Sequence, residues 1–427
     1  MDRSLRAVLA GTFTLRFSTG LTGVMLTYYL ADFQNHGGGA IDAFELAVIA
    51  AFFYASELVF SPFFGILSDR FGHHRLMQVG PFFGIAAAVI TWATTNLLVI
   101  GGTRILEGGA TAASVPSILG FIAAATAADE LLRGRAVARF EAATLSGLLL
   151  GFVVGGLLWE ALGPTAFLAN AVIYGVSLSI YRFGVDPALD SSRPTAKNLP
   201  VSRYVEILRG SHVWLLAPTW IAINAVLGLY TTQTIFQLVN EPNAKFADQA
   251  LMGGFDSVQI SAGLAAGGLL FFAGLIYWGG RFKALRRTTI ILYGIGGGGG
   301  VILAGIGLNH SATLPTVVSL AFAIVAAGGL FVLAGATPAA IGLLADITEA
   351  YPEDRGAIMG LYSVFLGLGQ ILGNLLGGAA ADVRGLDGIF GASFVLLAIA
   401  LVPLSRLRRY EHYVAGPSSP AVLGDNG

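Results

Sequence analysis

Two long apolar runs are joined by the short charged stretch Gly65-Ile66-Leu67-Ser68-Asp69-Arg70-Phe71-Gly72-His73-His74-Arg75. A connection this short leaves its flanking helices adjacent and antiparallel, and its glycines permit close backbone approach. The carboxylate of Asp69 and the guanidiniums of Arg70 and Arg75 can lie at a membrane surface, where charge is tolerated better than in hydrocarbon. The stretch therefore predicts a tight turn between two membrane-spanning helices.

The composition is that of an integral membrane protein. Of the 427 residues, 55% are hydrophobic and only 11% are charged, and the mean hydropathy is +0.74. Soluble domains carry roughly 25% charged residues. The 58 glycines fit helices that pack closely in lipid. Because the chain has no cysteine, a disulfide framework, a thiolate metal site and a thiol nucleophile are all excluded.

Apolar segments long enough to cross about 30 Å of hydrocarbon occur six times before a polar, proline-containing stretch and six times after it. We predict four parts, namely an N-terminal six-helix bundle (1–184), a cytoplasmic linker (185–210), a C-terminal six-helix bundle (211–408) and a disordered cytoplasmic tail (409–427). The predicted spans are 7–31, 44–67, 76–95, 97–126, 136–160, 164–182, 211–239, 258–279, 288–308, 313–345, 356–380 and 388–404.

The basic residues predict the orientation. With the N-terminus in the cytoplasm, the inner loops hold most of the arginines, and the outer loops keep only Lys245 and Arg384. This asymmetry follows the positive-inside rule, so both termini are predicted to be cytoplasmic. The first apolar run is too long for a signal-peptide core, and we interpret it as a retained span.

The two halves of the chain repeat one another. A shift without gaps that places Pro116 on Pro338 also superposes seven pairs of glycines, too many for coincidence. The shift therefore indicates a duplicated six-helix unit. The glycine pairs are Gly120 with Gly342, Gly134 with Gly356, Gly147 with Gly369, Gly151 with Gly373, Gly155 with Gly377, Gly156 with Gly378 and Gly163 with Gly385.

Three motifs carry a resemblance to a known family. The spacing Gly-x-x-x-Asp-Arg-x-Gly-x-x-Arg at 65–75 resembles the signature loop between helices 2 and 3 of the major facilitator superfamily of transporters. The run Arg104-Ile105-Leu106-Glu107-Gly108-Gly109 resembles the family's fourth-helix motif. The run Gly147-x-x-x-Gly151-x-x-x-Gly155-Gly156 resembles its fifth-helix motif, associated with exporters, although Phe152 stands where a proline is usual.

The resemblance implies an all-α membrane protein with twelve transmembrane helices in two pseudo-symmetric six-helix bundles around one central cavity. It implies secondary active transport by rocking of the two halves, with no cofactor and no metal. The alternative is that the glycine stripe has no influence on the direction of transport and serves only the close packing of one helix on another. This stripe consists of Gly147, Gly151, Gly155 and Gly156.

Five ionisable residues lie within or close to spans of the first half, namely Arg16, Glu57, Arg104, Glu107 and Glu141. Each would cost roughly 3 kcal/mol at mid-membrane, so they must be paired or hydrated. Arg104 and Glu107 share one helix face, and Arg16 and Glu57 lie at matching depths of roughly 14–16 Å. We hypothesise that Glu57 or Glu107 carries the coupling proton, with static ion pairs as the alternative. Glu141 lies nearer the cytoplasmic end, where a gating or structural role is expected.

Two further sets complete the expected site. The resemblance implies that Asp69 meets the N-terminus of the eleventh span near Arg355 and holds the cytoplasmic side closed. Uncharged polar residues of the second half are candidates either for the cavity wall or for interhelical hydrogen bonds. The gate set is Gly65, Asp69, Arg70, Gly72, Arg75, Asp129, Arg133 and Arg355, and the cavity set is Asn224, Tyr230, Gln233, Gln237, Gln370 and Asn374.

The motifs together predict proton-coupled efflux of an amphipathic small molecule. Alternatives are a proton-coupled importer of an anionic metabolite, a lipid translocase, and a non-transporting membrane assembly factor. An enzyme is not expected, because the sequence holds no His-rich metal motif, nucleophile elbow or nucleotide-binding loop. The expected partners are the substrate, protons and the bilayer, without nucleic acid. We expect a monomer in a bacterial cytoplasmic (inner) membrane.

Overall fold

The computed structural model describes residues 3–126, 129–190, 213–240, 244–282, 284–350 and 355–414. Every regular element in these ranges is a helix, as predicted. The helices are α1 (Arg3–Ala31), α2 (Ala43–Phe71), α3 (His73–Leu76), α4 (Val79–Ala93), α5 (Leu97–Ala125), α6 (Glu130–Leu162), α7 (Ala166–Gly184), α8 (Val213–Thr231), α9 (Gln233–Val239), α10 (Ser257–Gly279), α11 (Arg287–Asn309), α12 (Thr316–Leu333), α13 (Ala336–Ala350) and α14 (Arg355–Val414).

The helices account for all twelve predicted spans. Three spans are broken helices (α3 with α4, α8 with α9, and α12 with α13), and the last two are the arms of α14 on either side of a kink at Arg384 and Gly385. In the described ranges, nine stretches are long and apolar enough to cross a membrane, and two of these, of 50 and 47 residues, hold two crossings each. Helix α1 is not among the nine, because arginines and threonines interrupt its apolar residues.

Polar residues at helix starts satisfy backbone N–H groups that have no partner inside the helix. Asp42 caps α2 by accepting from the Glu45 N–H at 2.7 Å, and the Glu45 carboxylate accepts from the Asp42 N–H at 3.2 Å. The side chains of Asn96 and Asp129 accept from backbone N–H groups at the starts of α5 and α6. These caps fix where the spans begin, and therefore the depth of each side chain along them.

The backbone repeats in the same register as the sequence. Gly163 ends α6 with φ 54° and ψ −140°. Gly385, its equivalent in the repeat, lies at the kink of α14 with φ 57° and ψ −142°. A positive φ of this kind favours glycine over residues that carry a Cβ atom. Since both halves turn between their fifth and sixth helices with one backbone geometry, the internal duplication is confirmed at this point.

The glycine stripe packs α6 against α1. A Cβ atom added at Gly147 would lie 2.5 Å from the Phe13 carbonyl oxygen, and one added at Gly151 would lie 2.9 Å from the Gly20 Cα. The repeated stripe does the same in the second half, where a Cβ at Gly369 would lie 2.6 Å from the Asn224 Cβ in α8. The stripe thus brings the fifth helix of each half against the first.

Gly151→Val is expected to lower the yield of folded protein and its melting temperature. The added side chain has no room beside Gly20, and overpacking of this kind costs about 1–3 kcal/mol. Size-exclusion profiles and tryptophan-fluorescence melting in detergent would measure the loss. The matched control is Gly175→Val in α7, because no atom lies within 4 Å of the Cβ position there. Equal behaviour of the two variants would contradict the packing role of the stripe.

The chain forms two compact units. One combines Met1–Lys197 with Gly228–Gly268 and Asn374–Ile389, and the other combines Asn198–Leu227, Leu269–Gly373 and Phe390–Gly427. The first unit therefore holds the predicted N-terminal bundle together with short segments of the second half. The predicted linker is described as far as its 3-10 turn Pro187–Asp190, and the rest of it, 191–210, lies outside the described residues, as does 415–427 of the predicted tail.

Large apolar side chains remain exposed on the helices. Leu269 is 70% exposed, Ile276 73% and Val317 77%. Many large apolar side chains exposed in this way on an isolated chain indicate a surface that another apolar phase covers. Together with the helical spans, they are the surface expected to face lipid.

Candidate functional site

A buried ion pair lies in the first half of α5. Arg104 donates through Nη1 to the carboxylate oxygen Oε2 of Glu107, and the two residues are only 8% and 3% exposed. The guanidinium also lies over the Phe53 ring of α2, 4.8 Å from its centroid. Their separation of three positions on one helix is what allows the contact. The pair that the sequence predicts is therefore formed.

Polar groups of α1 and α7 surround the carboxylate end of this pair. The Thr22 hydroxyl lies beside Glu107, and Tyr174 is within electrostatic range of it. Asn170 holds Thr22 by donating to its hydroxyl oxygen at 2.8 Å and to the Ser18 carbonyl oxygen at 3.0 Å. These residues were not among the predicted site residues. Asn170 was detectable, because it is an uncharged polar residue in a span, like the candidates chosen in the second half.

Within the described ranges, the other three charges of the first half make no contact ion pair. Arg16 donates to the Thr111 hydroxyl at 3.5 Å, and its guanidinium is within electrostatic range of Glu57 and Glu141. Tyr54 is within electrostatic range of both Arg104 and Glu57. Among the residues that the structure describes, Arg16 has no carboxylate at ion-pair distance. The predicted Arg16–Glu57 pair is thus a charge interaction and not a contact.

Glu107→Gln is expected to destabilise the protein more than most single substitutions in it. The change leaves the Arg104 guanidinium buried without its counter-charge, and breaking a buried pair in this way costs about 3–5 kcal/mol. Melting of the purified protein in detergent would measure the loss. The double replacement Arg104→Met with Glu107→Leu removes both charges and should restore much of the melting temperature. A single variant as stable as the parent would contradict a structural contribution of the pair.

Gln233 and Asn374 make contacts between helices. Gln233 is fully buried and donates from Nε2 to the Ala43 carbonyl oxygen of α2 at 2.8 Å, and Gln237 donates to the Gln233 side chain at 3.2 Å. Asn374 is fully buried too and accepts from the Thr232 hydroxyl at 3.0 Å. Of the two roles considered for these residues, the described contacts are those of interhelical hydrogen bonding.

The remaining cavity candidates lie elsewhere on α8 and α14. Asn224 is buried and donates to the Trp220 carbonyl oxygen one turn earlier in its own helix, at 2.9 Å. Gln370 is also buried, and Tyr230 is half-buried. Their role in a cavity wall stays a prediction.

The signature loop contacts the start of the linker. Gly72 ends α2 with φ +92°. His73 follows it, and its Nδ1 lies 2.8 Å from the Asp190 carboxylate, which also accepts from the His74 N–H at 2.9 Å. Asp69 lies 3.5 Å from the other ring nitrogen of His73. The two histidines are not among the predicted site residues, because nothing local to the loop indicates a partner so distant in the chain.

The other loop residues are more accessible. Arg70 and Arg75 are exposed at the two sides of the turn. Gly65 passes Pro116 of α5, and a Cβ atom there would make an ordinary contact at 3.9 Å. The loop therefore presents its guanidiniums outward and its glycine side to α5.

The predicted acidic partner region is described only in part. Asp129 accepts from the Leu132 N–H at 2.9 Å as the cap of α6, and Arg133 donates to the Thr126 carbonyl oxygen at 3.4 Å. The side chain of Arg355 lies outside the described residues. The contact expected between Asp69 and the start of α14 stays a prediction.

Acidic residues at the ends of equivalent helices contact the starts of other helices in the first unit. The Asp382 carboxylate accepts from the N–H groups of Ala43 and Phe44, the first two residues of α2, at 3.0 and 3.1 Å. Glu160, its equivalent in the sequence repeat, accepts from the Ser257 hydroxyl at the start of α10. A carboxylate at a helix N-terminus is favoured by the helix dipole and by unpaired N–H groups. Both carboxylates therefore lie at the start of another helix, where Asp382 accepts from backbone N–H groups and Glu160 accepts from a hydroxyl.

Two glycines of the repeated stripe bring these helix ends together. A Cβ atom at Gly378 would lie 2.6 Å from both the Ala43 carbonyl oxygen and the Ala47 Cβ of α2. Gly156, its equivalent, meets Ser257 and Ser261 of α10 equally closely. Segments of the second half thus pack directly on the first half at the predicted outer side.

The sequence profile of the Major Facilitator Superfamily matches residues 8–333 and, in a second match, residues 246–422. The chain belongs to the major facilitator superfamily. It is accordingly an integral membrane protein. The superfamily resemblance carried by the loop at 65–75, by the fourth-helix motif and by the glycine stripe is confirmed.

Two bacterial resistance proteins are similar to most of the chain, and a lysophospholipid transporter is similar to less than half of it. Multidrug resistance protein 2 of Bacillus subtilis (strain 168) is 23% identical over 356 residues, which are 82% of this chain and 84% of that protein. The quinolone resistance protein NorA of Staphylococcus aureus (strain MSSA476) is 22% identical over 414 residues, 95% of this chain and 96% of that protein. The lysophospholipid transporter LplT of Salmonella schwarzengrund (strain CVM19633) is 29% identical over 196 residues, 43% of this chain and 46% of that protein.

Solved structures of two transporters share the fold. The crystal structure of the nucleoside transporter NupG matches with a TM-score of 0.73 at 11% identity, over 96% of this chain and 99% of that one. The D-xylose-proton symporter matches with a TM-score of 0.67 at 14% identity, over 94% of this chain and 96% of that one. Identities this low bear on fold alone, and they confirm the predicted all-α major facilitator fold.

Proposed function

We propose that this protein is a secondary active transporter that exports an amphipathic small molecule in exchange for protons. The observation that carries the proposal is the set of charges in the first half, with the Arg104–Glu107 pair at its centre. Charges inside a membrane domain are expensive to retain and usually belong to a substrate or proton pathway. A static scaffold or an assembly factor would gain little from them.

The substrate class is supported by the named relatives. A multidrug resistance protein and a quinolone resistance protein each align over more than four fifths of this chain. We propose transport without chemical change of the substrate and without a cofactor.

Glu57 is the proposed proton carrier. It is half-buried and within electrostatic range of Arg16, and in the described part of the chain it makes no ion-pair contact. A proton can therefore bind and leave without breaking a contact pair. Glu107 is ion-paired with Arg104. We propose that this pair stays in place during transport and that Glu57, beside it, binds and releases the proton. Glu141 is exposed and is proposed to line the inner approach to Arg16.

The described contacts support alternating access. Asp382, Glu160 and Gln233 join the two sequence halves at the predicted outer side. We propose that these bonds close the outer side while the substrate site opens inward, and that they break when the site opens outward. The loop at 65–75, with Asp69, is the proposed gate of the opposite side.

The remaining assignments follow the predicted orientation. We propose a monomer in a bacterial cytoplasmic membrane with both termini inside, built from bundles 1–184 and 211–408. Asn224, Tyr230 and Gln370 are proposed for the cavity wall. Gln233, Gln237 and Asn374 are proposed mainly to hold helices together in the described state.

A lipid substrate is the second candidate. The similarity to the lysophospholipid transporter LplT has the highest identity of the three relatives above, 29%, but covers 43% of this chain. An amphipathic drug and a lysophospholipid share one apolar part and one polar part, so that a site for either would have similar chemistry.

Transport by proteoliposomes separates these candidates. Vesicles would carry an imposed pH gradient or none, and would be offered lipophilic cations, small organic anions and a lysophospholipid. Cation accumulation driven by the gradient supports proton-coupled efflux. Anion uptake in the direction of proton flow would replace it by import, and gradient-independent movement of the lysophospholipid would replace it by lipid translocation. No transport of any probe by folded protein would contradict all three.

A further inference from the structure

A cavity of about 470 Å³ lies between the start of α11 and the end of α14. Its walls include Leu292, Leu401 and Leu404, and also Arg408 and Arg409. Leu401 and Arg408 are seven residues apart on one helix, which is about 10 Å along the axis. The cavity therefore has an apolar part and, one to two helical turns away, a cationic part.

The packing of the two helices explains why a cavity forms there. A Cβ atom added at Gly305 of α11 would lie 2.7 Å from the Phe390 ring of α14. One added at Gly298 would lie 3.1 Å from the Leu397 Cδ1. The helices are thus antiparallel and close where α11 carries glycine. Gly305 and Gly298 are seven residues apart, and the next position at this spacing along α11 is Ile291, where no glycine permits the same approach. The cavity lies at this step.

The charge around the cavity is positive. Arg408 and Arg409 are exposed, and within the described part of the chain neither has a carboxylate at ion-pair distance. Arg286 and Arg287 lie at the start of α11, whose first turn holds no acidic residue. Residues 401–409 carry no acidic residue either. The cavity therefore fits an anion that is attached to an apolar chain.

We propose that this cavity binds one anionic phospholipid from the leaflet at the predicted cytoplasmic side. Arginine guanidiniums bind phosphate oxygens in a bidentate manner, and Arg408 and Arg409 would hold the headgroup phosphate. Leu292, Leu401 and Leu404 would contact an acyl chain. Each basic residue near an anionic leaflet contributes about 1 kcal/mol, which favours an anionic over a zwitterionic lipid. The site is independent of the substrate that the protein carries.

Native mass spectrometry of the delipidated full-length protein tests the proposal. The protein would be titrated with phosphatidylglycerol and with phosphatidylcholine of the same acyl chains, and with glycerol phosphate. We expect phosphatidylglycerol to bind first. The double variant Arg408→Ala with Arg409→Ala should weaken that binding about tenfold or more. Leu401→Trp, which fills the apolar part and keeps both charges, should weaken it as well. Arg6→Ala, at an exposed arginine of α1, is the control and should leave it unchanged.

Several results would overturn the proposal. Equal binding of the two lipids would remove the headgroup preference, and unchanged binding by both the arginine and the leucine variants would remove the site. Displacement of the lipid by glycerol phosphate at the same concentration would indicate an anion site without an acyl chain. Lipid binding only after deletion of 415–427 would identify the tail as the occupant. Tryptophan fluorescence melting would verify that each variant is folded.

Discussion

Replacing Glu57 by glutamine is expected to abolish proton-driven export and leave the protein folded. Glutamine has nearly the same shape as glutamate but cannot carry a proton in the physiological range. Because Glu57 has no contact ion pair in the described residues, the change orphans no charge. Melting should therefore stay close to that of the parent, unlike Glu107→Gln.

Two transport assays distinguish loss of coupling from loss of binding. Accumulation driven by a pH gradient should fall to the level of empty liposomes in Glu57→Gln. Exchange of labelled for unlabelled substrate at equal pH needs binding and alternating access only, and should persist. The comparison of the two rates in one preparation is the measurement.

Glu141→Gln is the matched variant for this prediction. Glu57 and Glu141 are both within electrostatic range of Arg16, but Glu141 is exposed and lies nearer the predicted cytoplasmic end. We expect it to retain gradient-driven transport. Loss of coupling in both variants would assign the effect to the field around Arg16, and retained coupling in Glu57→Gln would exclude Glu57 as the carrier.

Local sequence was sufficient wherever partners lie on one helix. Arg104 and Glu107 are three positions apart, so their contact follows from helix geometry alone. The glycine stripe likewise predicts a smooth face, because its spacing puts small residues on one side of α6. The helix that the stripe meets, α1, was not predictable from that spacing.

Partners that are distant in the chain were missed for a physical reason. Periodicity tells which face of a helix is apolar, but not which other helix covers it. Tyr54 and Thr22 join the charge site only because α2, α1 and α5 pack together. The contact of His73 with Asp190 likewise joins residues 117 positions apart.

The internal repeat held one signal that was not used. The shift that places Pro116 on Pro338 also places Glu160 on Asp382. Two acidic residues at equivalent helix ends indicate a shared role, and in the structure each accepts hydrogen bonds from the start of another helix. A duplicated chain therefore allows a functional prediction from polar pairs as well as from packing residues.

Replacing Asp382 by alanine is expected to open the predicted outer side. The substitution removes two charge-assisted hydrogen bonds to the first N–H groups of α2, together with the favourable charge at that helix end. A loss of about 2 kcal/mol shifts the equilibrium between closed and open outer sides about 30-fold. The described state should then be a minor one.

Thiol accessibility measures this shift, because the chain has no cysteine of its own. Ser261 is 2% exposed and faces Gly156, so that Ser261→Cys should be protected from a membrane-impermeant reagent in the closed state. Adding Asp382→Ala should raise its labelling rate by the same factor of about 30. Gln34→Cys, at an exposed outer position, reports whether the reagent and the fold are intact.

Two further variants separate the carboxylate from its surroundings. Lys245→Ala removes the contact of Nζ with the Asp382 carbonyl oxygen and leaves the carboxylate on α2, so it should change labelling little. Glu160→Ala removes a bond to one hydroxyl and should have a smaller effect than Asp382→Ala. If the labelling of Ser261→Cys does not change when Asp382 is replaced, the carboxylate does not hold the outer side closed. If Ser261→Cys is labelled faster with both acidic residues replaced than with either one replaced, both carboxylates contribute to holding the outer side closed.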